Sequence, residues 1–138
     1  MDEVVAESAH LSPGCLEVIQ TATREIDHII ESGTPEEIQA MYKALGNHIP
    51  NIEYGDFMYY VADIFTGGVQ GGRRTSMCDR ITSDAFKSDI INQTGLLAKD
   101  YGMNADDYAA SSIANTTVDM YKNMRQWAYQ YCHEFGWF

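Results

Sequence analysis

Gly55-Asp56-Phe57-Met58-Tyr59-Tyr60-Val61-Ala62-Asp63-Ile64-Phe65-Thr66-Gly67-Gly68 is the stretch that decides the fold class. Within it Phe57, Tyr60, Val61, Ile64, Phe65 and Gly68 recur at three and four residues, the spacing of one helical face. Asp56 stands where an N-cap is expected. Gly67-Gly68 permits a close helix contact or a kink, and Gly71-Gly72 can end the segment in the left-handed conformation. This stretch is therefore read as the apolar centre of the domain.

Working upstream, Ser12 is placed to cap a helix with Pro13 at its first position. Cys15, Leu16, Ile19, Ala22, Ile26, Ile29 and Ile30 then fall on one stripe, and Ser32-Gly33 stops it. Thr34-Pro35-Glu36-Glu37 reads as a capping box. Ile38, Met41, Tyr42 and Leu45 form the buried face of a second helix that ends at Gly46, closing an αα-hairpin. Downstream, a fourth helical region is expected from about Ser83 to Asp100, weakened at Thr94-Gly95. Asn104 caps a fifth from Ala105 to about Met124, where Asp106 and Asp107 complement its dipole. From Trp127 onward, Trp127, Tyr129 and Tyr131 alternate with smaller or polar residues, which predicts an extended segment. The expectation is an all-α domain of about five helices spanning residues 1–138.

Composition narrows the function. With 45% apolar residues in 138, the chain can build a sizeable core. Twenty acidic against nine basic residues give a formal charge of -11, which repels phosphate backbones, so nucleic acid is not an expected partner. No apolar run has the length of a membrane span, and Met1-Asp2-Glu3 lacks the regions of a signal peptide. Asn92-Gln93-Thr94 and Asn115-Thr116-Thr117 each fit the glycosylation acceptor pattern. Three cysteines leave one thiol without an internal partner, or all three reduced.

Catalytic constellations are not found. There is no Gly-x-Ser-x-Gly. His10, His28, His48 and His133 do not match metal-ligand spacing, and neither metal nor cofactor is expected. Gly67-Gly68-Val69-Gln70-Gly71-Gly72-Arg73-Arg74 lacks the Gly-Lys-Ser/Thr of a phosphate loop and reads as a helix end and surface turn. Glu36-Glu37 and Asp106-Asp107 sit in first turns of helices, where dipole complementation accounts for them.

Near the C-terminus, Arg125-Gln126-Trp127-Ala128-Tyr129-Gln130-Tyr131-Cys132-His133-Glu134, followed by Phe135-Gly136-Trp137, is a string that no packing rule demands. It resembles the segment by which the cap rejoins the hydrolase domain in the proline-specific serine peptidases that include lysosomal Pro-X carboxypeptidase, dipeptidyl peptidase II and thymus-specific serine protease. Ser12-Pro13-Gly14-Cys15, then Gly55 to Asp63, Val69-Gln70 and Cys78-Asp79 are similar to successive stations of the same cap.

The resemblance implies a helical cap inserted in an α/β-hydrolase parent whose serine, aspartate and histidine all lie outside this sequence, so that the fragment alone should be inactive. It implies a Cys15–Cys78 disulfide, and a partner for Cys132 beyond the fragment. It implies a lysosomal or secreted glycoprotein with its signal peptide upstream, acting on peptides, with a homodimeric parent. Glu134 and Trp137 become candidates for the wall of a pocket that receives the substrate's proline. Glu134 has the alternative role of a buried hydrogen-bonding brace. Ala128 replaces the acidic residue that aminodipeptidase members carry there, which disfavours dipeptidyl-peptidase specificity. The rival reading is a stand-alone, non-catalytic helical protein-binding module. An exposed apolar patch around residues 127–138 is expected of the cap, and a closed surface of the module.

Overall fold

A computed structural model of the chain describes residues 12–50, 52–118, 120 and 124–135. Among these the regular structure is helical and there is no strand, in line with the all-α expectation.

Helix α1, Cys15–Ser32, buries Cys15, Val18, Ile19, Ala22 and Ile26 along its predicted stripe. Its start differs from expectation. Gly14 precedes it in the left-handed region (φ 74), and the Cys15 amide donates to the backbone oxygen of Ser12. The Ser12 hydroxyl instead accepts from Arg74. Helix α2, Pro35–Ala44, opens with the predicted capping box. The Thr34 amide donates to the Glu37 carboxylate (2.7 Å) and the Glu37 amide to the Thr34 hydroxyl (3.2 Å). These bonds from Thr34 hold the Glu37 carboxyl below its ordinary value.

Helix α3, Tyr54–Gln70, is the apolar centre, burying all six residues of the predicted face. Asp56 lies in its first turn rather than capping it, because Glu53 occupies the N-cap and the Asp56 carboxylate accepts from the Ala110 amide (3.0 Å). The Tyr60 hydroxyl donates to the Leu45 carbonyl (2.8 Å), fixing the end of α2 against α3. Gly68 is a true close contact: a Cβ there would overlap the Met77 sulfur and lie 3.2 Å from the Tyr101 hydroxyl. After Gly72 turns the chain in the left-handed region (φ 70), helix α4, Arg74–Ile81, buries Met77, Cys78 and Ile81 against α1 and α3. Sequence reading assigned no helix here. The Cys15–Cys78 disulfide implied by the resemblance is formed, joining the start of α1 to α4.

The single helix expected over residues 83–100 is two. Helix α5, Asp84–Lys87, is capped by Ser83 and buries Phe86. Helix α6, Ile90–Asp100, begins after Asp89, whose φ of -152 and ψ of 62 break the helical path. The break therefore lies at Ser88-Asp89, and Thr94-Gly95 sits inside an unbroken helix. The fifth helix is also divided. Asn104 caps as expected, its side chain accepting from the Asp106 amide, but only a 3-10 turn, Ala105–Tyr108, follows. Ala109 then extends (ψ 139) before the short α7, Ala110–Ala114. That extension lets Tyr108 and the Ala110 amide both reach back to α3.

The segment from Trp127 is not extended. Helix α8, Met124–Gln130, runs directly into a π-helical turn, Tyr131–Phe135. Residues four apart meet across it: Trp127 and Tyr131 are edge-to-face (centroids 5.9 Å apart), and Tyr129 stacks on His133 (4.8 Å). No described helix is long and apolar enough to cross a membrane.

Candidate functional site

One face of α3 presents Asp56, Tyr59 and Asp63, which lie at helical spacings of three and four. The 3-10 turn lays Tyr108 across this face, its hydroxyl donating to the Asp63 carboxylate at 2.5 Å. The Tyr108 ring packs edge-to-face on Tyr59 (5.7 Å) and Tyr60 (5.2 Å). Tyr131 of the π turn is buried as well, and burial first, with lesser contributions from Cys132, Asp63 and Asp56, raises its hydroxyl above the ordinary tyrosine value. A second long-range latch lies at the end of α2. The Asp106 carboxylate accepts from the backbone amides of His48 (2.6 Å) and Ile49 (3.3 Å) and pairs with the His48 ring (3.2 Å). Sequence reading gave Asp106 only a dipole role and missed both latches.

Burial, then the bond to Asp63, pushes the Tyr108 hydroxyl well above the ordinary tyrosine range. Tyr60 is pushed up to about 12 by burial and, secondarily, by Asp106. Both groups are held as neutral donors, so they brace the fold and supply no base at physiological pH. The sign follows: raised values add stability that is complete below the unfolded value of 10.0 and is lost as pH climbs through the folded values. In an alkaline titration Tyr60 and Tyr108 should stay silent until the helical circular dichroism collapses. Smooth ionisation of all nine tyrosines with the helices intact would contradict this latch.

The outer face of α8 is different. Trp127 is 40% and Tyr129 59% exposed, while Ala128 points inward and is buried. Val118 and Met120, between α7 and α8, are also exposed large apolar residues. Glu134 is exposed. Cys132 is an exposed free thiol. The pocket candidate Trp137 lies outside the described residues, as does His10. Asn92 lies in α6 and Asn115 just beyond α7; both are exposed.

A hollow of about 620 Å³ opens between the end of α2 and α6, with Lys43, His48, Tyr60, Asn92, Lys99 and Asn104 among its lining residues. Glu134 is not among the lining residues. No cluster of three or more His, Cys, Asp or Glu suited to a metal ion occurs among the described residues. No family model, no curated protein and no solved structure matches this chain.

Proposed function

We propose that this chain is the helical cap of a proline-specific serine exopeptidase of the lysosomal or secreted kind. The observation that carries the reading is the Arg125 to Glu134 string, together with the solvent-facing Trp127 and Tyr129 within it. The Cys15–Cys78 bond, which the resemblance also implies, supports it. The rival binding-module reading expects a closed surface here, whereas these aromatic side chains face solvent.

In this reading the cap roofs the active site of an α/β-hydrolase domain and excludes long or folded substrates. Glu134 and Trp137 contribute one wall of the pocket for proline, a residue with no amide hydrogen to donate and a flat apolar face. The hydrolase domain supplies the serine, its base and the oxyanion hole, and the reaction passes through an acyl-enzyme. The cap itself performs no bond cleavage and sets which peptides reach the serine.

The decisive test is the coding sequence on either side of residues 1–138. A Gly-x-Ser-x-Gly turn upstream, with an aspartate and a histidine downstream, is the expected result. In that intact enzyme Glu134→Ala should raise KM for substrates with proline at the cleaved bond more than it lowers kcat. Unrelated flanking sequence would reduce the peptidase reading to ancestry.

A further inference from the structure

The two acceptor triplets are equivalent in sequence and unlike in structure. Asn92 occupies the first turn of α6, and its side-chain amide nitrogen donates to both carboxylate oxygens of Asp89 at 3.0 Å. The threonine that completes its triplet, Thr94, is 0% exposed and sits in the core with its hydroxyl buried. Asn115 ends α7, and residues 115–118 are irregular and exposed. Its side-chain carbonyl accepts a hydrogen bond from the Thr117 amide at 2.9 Å. That bond closes a turn which sets the Asn115 amide and the Thr117 hydroxyl on one open loop. Among the described residues, the Asn115 amide nitrogen has no bond of the kind that ties Asn92 to Asp89.

We propose that Asn115 is the N-glycan acceptor of this chain and that Asn92 is left unmodified. The reaction joins the Asn115 side-chain nitrogen to the anomeric carbon of a lipid-linked oligosaccharide diphosphate. The C–O bond to the diphosphate breaks, the lipid diphosphate leaves with that bond's electron pair, and the amide gives up one proton. Two conditions suit the nitrogen to this transfer: a polarised side-chain carbonyl, which makes the amide N–H easier to deprotonate, and access to the enzyme for both the amide and the hydroxyl two residues on. The Thr117 amide bonding to the Asn115 carbonyl meets the first, and the exposed loop meets the second. At Asn92 the α6 backbone would have to unwind and Thr94 leave the core. Glycan transfer competes with folding, so the triplet in a buried helix is withdrawn while the triplet in an open turn stays available.

The proposal shares with the peptidase reading only the secretory route. The test supplies that route independently, by expressing the chain behind a secretory leader in a glycosylating eukaryotic cell. The secreted chain should carry one glycan, with deglycosylation leaving Asp at position 115 and Asn at position 92. Asn115→Gln and Thr117→Ala should each abolish the mass shift, and Asn92→Gln should leave it intact. Occupancy at Asn92, at both asparagines or at neither would overturn the proposal. Thr117→Ser, which keeps the hydroxyl, should remain glycosylated, so that loss in Thr117→Ala is read as loss of the acceptor and not of the fold. None of these outcomes bears on whether a hydrolase domain flanks the cap.

Discussion

Removing the Cys15–Cys78 bond is expected to lower the unfolding free energy by about 4 kcal/mol. The bond joins residues 63 apart in sequence, so its loss restores a long stretch of conformational freedom to the unfolded chain. Both cysteines are almost fully buried, at 0% and 1% exposure, and they pin the first turn of α1 to the short α4. Helix α4 has only Met77, Cys78 and Ile81 in the core, and eight residues are too few for a helix to hold itself. A fall in Tm of roughly 15 °C follows for a domain of this size. The measurement is thermal unfolding of the native chain against Cys15→Ala/Cys78→Ala, with Cys132→Ser as the control. The control should match the native chain, because Cys132 is exposed and unbonded. A double variant as stable as the native chain would mean that packing alone holds α4 in place.

That pairing was available only through the resemblance, since three cysteines in a sequence permit several pairings. The first three helices were legible without it. Their apolar residues run long enough to establish a period, and their boundaries are chemically explicit, in Thr34 and Glu37 at a start and in Gly46 and Gly71-Gly72 at the ends. Helix α4 was not legible because its three buried residues are too few to show a period. The stretch from Trp127 was misread for a related reason. Trp127, Tyr129 and Tyr131 do alternate, but Trp127 and Tyr131 meet on one side of the helical segment while Tyr129 stacks on His133 on the other. The aromatic spacing therefore reports the two faces of a helix and not the period of a strand. Neither the Asp63–Tyr108 nor the His48–Asp106 latch leaves a local signal. Their members are 45 and 58 residues apart, and each looks in sequence like an ordinary surface side chain.

Gly95 gives the sharpest conflict between local propensity and tertiary contact. In a helix interior, glycine costs about 1 kcal/mol relative to alanine, so a mere weak point at Thr94-Gly95 would be relieved by Gly95→Ala. The fold reverses that expectation. A Cβ at Gly95 would overlap the Ala44 carbonyl oxygen and approach the carbonyl carbon to 2.9 Å and the Leu45 Cα to 3.4 Å. These are backbone atoms and cannot swing aside. The end of α2 is held by the bond from the Tyr60 hydroxyl to the Leu45 carbonyl, and Leu45 itself is fully buried. Helix α6 would have to retreat instead, loosening Thr94, Leu97 and Ala98 in the core. Overpacking of this kind costs at the upper end of about 1–3 kcal/mol. After the propensity gain, Gly95→Ala should lose about 2 kcal/mol, seen as a lower urea midpoint at an unchanged slope. Gly67→Ala is the matched comparison, because among the described residues a Cβ there meets only the Met103 sulfur, at 3.9 Å. That substitution should add up to about 1 kcal/mol. Opposite signs for two glycine-to-alanine changes inside helices would identify close approach as the reason for Gly95. Stabilisation by both would mean that α2 and α6 do not approach as closely as their backbones are placed.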